Sequence, residues 1–243
     1  MPKILSNYSI NFDIIRRKKE KIKYLIFHYT GMKSEKLAIR RLKDKKSKVS
    51  CHYFIKKNGT ILNMVPDSYI SWHSGISNWK KYNKINKDSI GIEIQNPGHK
   101  NNYSNFNIKQ IKSIKYLSKK LIKKFNFNKK NFLGHSDVSP DRKKDPGEKF
   151  PWKSLSKHKI GIWHNLDDNL LKKMRSKKID IKQKKLFLKR LIKIGYFFKK
   201  KNSEGSFLVI KAFQRRFRPQ IINGKIDLEC CEIAKNLVKS GLN

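Results

Sequence analysis

Two histidines and an aspartate, His28, His135 and Asp145, carry the chemistry this sequence could perform. His135 and Asp145 lie ten positions apart within GHSDVSPDRKKDPGEKFPW, Gly134 to Trp152, a stretch too rich in Pro, Gly, Asp and Ser for a regular helix or strand. A polar loop of that length inside a compact domain is usually functional. His28 closes an apolar run far upstream. Taken alone it reads as a satisfied group at a core rim, and convergence with the other two is what would make it a ligand. Together the three supply two imidazoles and a carboxylate. That set suits a catalytic zinc ion, which takes three protein ligands and keeps a fourth position for water.

A zinc ion so held lowers the pKa of its water from about 15.7 to about 7 and polarises a carbonyl. Amide hydrolysis then needs a base that takes the water proton and hands it to the leaving nitrogen. It also needs a cation beside the developing oxyanion. Glu93 suits the first role and Lys143, two residues before Asp145, the second. Glu93 has two plainer readings, a solvated strand carboxylate or a support for a metal ligand.

The elements that must position these residues follow from periodicity. KYLIFHYT, Lys23 to Thr30, is a short apolar run expected as a buried strand ending at His28. Ser34 to Lys46 reads as a helix capped by Ser34, with Leu37, Ala38 and Leu42 on one side. Cys51 to Val65 reads as a hairpin about Asn58-Gly59, residues that tolerate positive φ. SIGIEIQN, Ser89 to Asn96, has period two, with Glu93 on the face opposite Ile90, Ile92 and Ile94. Ile108 to Phe125 is an amphipathic helix through Ile111, Ile114, Leu117, Leu121 and Phe125, and NFLGH is a short strand delivering His135. Strands alternating with helices imply an α/β fold with function gathered at the strand ends. Between hairpin and strand, SWHSGISNWKKYNKINKDS places Trp72, His73, Trp79 and Tyr82 in an irregular segment that suits either a core plug or the wall of a polar cleft.

Residues 1–21 read as a basic lead-in with a weak apolar patch, Ile10, Phe12, Ile14 and Ile15. Residues 22–165 read as the domain that carries this chemistry, and 166–182 read as a charged linker. In 183–243 three helical patterns follow: Phe187 to Ile192 stopped near Gly195, Phe207 to Phe217 stopped by Pro219, and a third capped by Asp227. A module that small is a binding appendage rather than a second catalytic unit. The 59 Lys+Arg against 18 Asp+Glu give a formal net charge of +41. These lysines fall on every segment rather than one stripe, and no nucleic-acid-binding motif is present, so nucleic acid is not read as a partner. The charge would attract anionic surfaces all the same. Cys51, Cys230 and Cys231 form no disulfide or metal framework. The first twenty residues show no apolar export signal and no run reaches membrane-spanning length, so the chain as given is expected to be soluble.

The segments FHYT, SCHYFIKKNGTILNMVPD, SWHSGISNW, NKDSIGIEIQN and GHSDVSPDRKKDPGEKFPW, in that order, resemble the zinc-dependent N-acetylmuramoyl-L-alanine amidases, and within them the AmiD type. IGYFF, IKAFQRRFRP and NGKIDLE resemble the three-helix peptidoglycan-binding module appended to those enzymes. The resemblance implies a mixed central β-sheet flanked by helices, one zinc ion on His28, His135 and Asp145, Glu93 as acid/base and Lys143 as oxyanion stabiliser. It implies cleavage of the amide between N-acetylmuramic acid and L-alanine of the stem peptide, with the 1,6-anhydro form left open as a further substrate, and the chain is expected to be a monomer. Trp72 and His73 would line the substrate cleft. Cys51 stands where phage-type relatives carry a catalytic tyrosine, which throws the base role onto Glu93, and Lys144 stands where an acidic residue is common. Enzymes of the AmiD type usually carry a lipoprotein signal that this chain does not show, so the compartment stays open between cytoplasm and cell envelope. A non-catalytic peptidoglycan-recognition protein on the same fold is the alternative.

Overall fold

The computed structural model describes residues 1–198 and 203–241. Its strands, in chain order, are β1 (Ile4–Ser6), β2 (Phe12–Asp13), β3 (Tyr24–Tyr29), β4 (Tyr53–Ile55), β5 (Ile61–Asn63), β6 (Ile70–Ser71), β7 (Asn78–Trp79), β8 (Tyr82–Asn83), β9 (Ser89–Ile94) and β10 (Phe132–Gly134). Six of them form one sheet in the order β1-β5-β4-β9-β3-β10. The sheet is mixed: β4 and β5 pair antiparallel and every other neighbour is parallel. Centre strands β3 and β9 read as near-continuous apolar runs because helices cover both faces.

The helices are α1 (Glu35–Lys43), α2 (Ile108–Phe125), α3 (His135–Val138), α4 (Trp152–Ser156), α5 (Asp168–Met174), α6 (Ile181–Ile194), α7 (Ser203–Phe217) and α8 (Leu228–Gly241). Helix α2 starts where Asn107 and Gln110 cap one another's backbone N–H groups, and ends at Asn126 in the left-handed conformation. Its Ile114, Leu117 and Leu121 pack on Leu25, Phe27, Ile90, Ile92 and Ile94. Alternation along β3 sends Tyr24 and Ile26 to the other face, where they join Phe187, Leu191, Phe213 and Phe217 of the C-terminal helices. The sheet-bearing unit and the helical unit therefore share one core.

Three readings of the sequence change here. Residues 1–21 hold β1, which pairs with β5 at the sheet edge, and Arg17, whose guanidinium reaches the carbonyls of Asp67, Asn86 and Ser89. The span 166–182 holds α5, capped by Asp167, and Arg175 beyond it makes a bidentate pair with Glu229 of α8. Both elements are too short to show a period and are held by contacts made elsewhere in the chain. Leu37 is 52% exposed while Ala38 and Leu42 are buried, because α1 turns a narrower stripe to the hairpin than expected. The C-terminal patterns appear as α6, α7 and α8, with Asp227 accepting from the Cys230 N–H. Residues 199–202 and 242–243 of that span lie outside the described ones. Among the described residues, no helix is long and apolar enough to cross a membrane.

Candidate metal centre and active-site cleft

Register across the two central strands builds the first half of the site. His28 is the partner of Glu93 in the parallel β3–β9 pair, so both side chains emerge on one face near the carboxyl ends of their strands. Strand β10 runs beside β3 and stops at Gly134, and the chain turns at once into α3, a single helical turn that begins with His135. The loop was expected to hold no helix. It forms this turn because the Asp137 carboxylate accepts the N–H of Gly134 at 2.8 Å and the Ser139 N–H bonds back to the carbonyl of His135. The Ser136 N–H donates to the carbonyl of Asp145 at 2.8 Å, which brings the far side of the loop back beside His135. A side chain on Gly134 would meet the ring of Pro146 at 2.7 Å, so the closure requires glycine there.

Three ligand atoms meet as a result. His28 Nδ1 lies 2.9 Å from His135 Nδ1 and 3.0 Å from Asp145 Oδ2, and His135 Nδ1 lies 2.9 Å from the same oxygen. All three residues are buried. The ring protons can be assigned from the outer partners. His135 Nε2 is 3.1 Å from the carbonyl of Ser74, which only accepts, so that nitrogen carries the hydrogen and Nδ1 is bare. His28 is fixed through a longer chain. Ser89 donates its hydroxyl hydrogen to the carbonyl of Ile85, so its oxygen accepts from His73 Nε2 at 3.1 Å. That leaves His73 Nδ1 to accept from His28 Nε2 at 3.0 Å, and His28 Nδ1 bare. Two lone pairs and a carboxylate thus converge within hydrogen-bond distance with no donor among them. Such a set fits a divalent cation and fits little else.

The electrostatics agree. Burial and then the neighbouring His135 push His28 down to about 4, keeping it neutral as a ligand must be. Burial opposes ionisation of Asp145, yet the neighbouring imidazoles of His135 and His28 hold it well below the usual carboxylate range. Glu93 goes the other way, pushed up to about 8 by burial and then by the charge of Asp145, with Lys143 countering. Its Oε2 is buried with no hydrogen-bond partner. A buried carboxyl with a raised pKa, lining a cleft beside these three groups, has the chemistry to take up and release a proton.

The cleft over these groups holds about 560 Å³, lined among others by Tyr29, Trp72, Glu93, His99, Arg142 and Lys143. Trp72 stands in its wall with Nε1 donating to Asp13 Oδ1 at 2.7 Å. His73 touches the cleft too, but both of its ring nitrogens are engaged in orienting His28, a role distinct from the cleft lining expected of it. Gly91 makes room for it, since a Cβ there would lie 2.3 Å from the His73 ring. Sequence reasoning missed Ser89, Ser74 and Asp137, none of which carries a local signal beyond being small or polar near a strand end. Cys51 is buried and packed on Met64, and burial followed by Glu93 raises its thiol, so it carries no thiolate chemistry.

A mixed sheet carrying a His, His, Asp set that could hold a metal ion, with an unpaired glutamate beside it, is the arrangement of a hydrolase site. The N-acetylmuramoyl-L-alanine amidase family model matches residues 18–148, and the chain belongs to that family. It is 33% identical to the N-acetylmuramoyl-L-alanine amidase AmiD of Escherichia coli over 90% of this chain and 83% of that protein. The solved complex of E. coli AmiD with the substrate anhydro-N-acetylmuramic acid-L-Ala-D-gamma-Glu-L-Lys superposes with a TM-score of 0.80, covering 92% of this chain and 91% of that one. AmpDh3 of Pseudomonas aeruginosa in complex with anhydromuramic pentapeptide is 26% identical with a TM-score of 0.79, covering 95% and 98%.

Proposed function

We propose that this chain hydrolyses the amide between N-acetylmuramic acid, free or in the 1,6-anhydro form, and L-alanine of the peptidoglycan stem peptide, with one zinc ion on His28, His135 and Asp145. The observation that carries this reading is the donor-free triangle of two bare imidazole nitrogens and one carboxylate oxygen. When bound there, zinc supplies Lewis acidity toward water and the scissile carbonyl. Glu93 takes the proton of the attacking water and returns it to the leaving amine of L-alanine, a task helped by a pKa raised toward working pH. Lys143 places its cation on the same cleft, where it stabilises the oxyanion and tempers the rise of Glu93. His73 and Ser89 keep His28 in the ligating tautomer. Trp72 offers a flat wall to the sugar or peptide.

Helices α6, α7 and α8 we read as the peptidoglycan-binding appendage, supported by their extent matching the AmiD relative along most of its length. A recognition protein without catalysis gains no support, because the whole donor set is intact. Chelation of the purified chain, followed by mass spectrometry of defined muropeptides, tests the proposal. Release of free stem peptide should stop with the chelator and return with zinc, and intact muropeptide in both arms would sink it.

A further inference from the structure

Two consecutive arginines of α7 leave the helical unit and reach carboxylates at either end of the metal-bearing loop. Arg216 is 3% exposed; its Nη1 pairs with Asp137 Oδ2 and its Nη2 lies 3.0 Å from the carbonyl of Phe132 in β10. Arg215 lies 3.9 Å from Glu148, which in turn bonds His99 at the cleft. Asp137 is two residues past His135, and Glu148 is three past Asp145. The grip on Asp137 is double: Tyr196, just beyond α6, donates its hydroxyl to the other carboxylate oxygen at 2.8 Å. That same carboxylate accepts the Gly134 N–H that starts the turn bearing His135. Arg216 also lies over Trp152, its guanidinium carbon 4.2 Å from the ring centroid, where the loop ends.

A helical unit tethered only for wall binding has no need of buried charges sunk into its neighbour. Here the buried charge of Arg216 ends on Asp137, which holds the turn bearing His135, and Arg215 faces Glu148, three residues past Asp145. Resting on the zinc reading above, we infer that the C-terminal helices clamp the metal loop, with Arg216 and Tyr196 as positioning residues that act through Asp137 on the ligand geometry. Outer partners of a metal ligand commonly tune affinity by about 10- to 100-fold when lost. The clamp extends that shell across the boundary between the two units.

The test uses the full chain and measures zinc affinity by competition with a chromogenic chelator, beside the thermal unfolding midpoint of the metal-free form. Tyr196→Phe keeps the ring that packs on Trp79 at 5.0 Å and removes only the hydroxyl. Arg216→Gln removes the charge. Arg218→Gln is the control, because Arg218 is as buried but pairs with Asp227 and Glu229 inside the helical unit. Tyr196→Phe and Arg216→Gln should each weaken zinc binding by about 10-fold or more. Amide hydrogen exchange at Ser136 should quicken in both, and the control should lower the midpoint while leaving zinc affinity in place. Unchanged zinc affinity in a folded Tyr196→Phe, or an equal loss in Arg218→Gln, would overturn the clamp and leave the metal site standing. A wild-type chain that takes up no zinc would overturn both.

Discussion

The cleft floor and the helical unit handle buried charge in opposite ways. At the cleft, Asp145 faces two bare imidazole nitrogens and Glu93 has a buried oxygen without a partner. In the helical unit the buried charges face counter-charges: Arg218 meets Asp227 and Glu229, though its Nε and Nη2 have no hydrogen-bond partner, and Arg175 takes Glu229 in a bidentate grip. Desolvating a charge is costly unless a counter-charge or hydrogen bonds offset it. One region meets that cost with internal pairs and gains a fixed shape. The other leaves it unmet, poised for an ion and a substrate, and its stability suffers for the sake of chemistry.

The contrast can be broken most directly at Glu93. Glu93→Gln should keep zinc and lower kcat by roughly 100- to 10,000-fold, the range for loss of a general acid/base, read from muropeptide turnover at matched metal occupancy. A variant near full rate would remove Glu93 from the mechanism. On the helical side, Glu229→Gln removes the counter-charge of Arg175 and leaves Arg218 with Asp227 alone, and should destabilise the fold by about 3 kcal/mol in denaturant unfolding, the low end for breaking a buried pair. Zinc-dependent chemistry in whatever chain remains folded should be little altered.

The same glutamate should have the reverse effect on stability. Folded Glu93 titrates at about 8 against an ordinary 4.5, so between those values the unfolded chain has lost a proton that the folded chain keeps. Stability of the metal-free wild type should therefore fall as pH rises through that window, and Glu93→Gln should lack this fall. Parallel curves for the two chains across pH 4.5 to 8 would contradict the burial argument. His28 contributes at the acid side. Its value is depressed to about 4 from 6.5, so the stability it lends is present above 6.5 and lost as pH falls toward 4. Smallest of all, Leu37→Lys at an exposed helix position should shift unfolding by no more than about 0.5 kcal/mol.

Periodicity and turn chemistry were enough for the local elements. The strand ending at His28, the hairpin about Asn58-Gly59, the alternating strand of Glu93 and the helix Ile108–Phe125 all show a pattern that a single stretch of chain can display. The same holds for α6, α7 and α8, each long enough to show a stripe, with Gly195 and Pro219 ending the first two and Asp227 capping the start of the third. The polar loop marked His135 and Asp145 as candidate ligands, while the full set with His28 and Glu93 needed the family resemblance. What the chain order could not display is pairing. Strand β1 exists because β5 offers an edge, and α5 because α8 offers a counter-charge. The tautomer of His28 depends on Ser89, sixty-one residues away, by way of His73, and the seat of His135 depends on Arg216 of α7. Hydrogen bonds and ion pairs act over about 3 Å whatever the sequence separation. Residue types and local periods therefore belong to the sequence, while the convergence of the ligand atoms, and what holds them there, belongs to the folded chain alone.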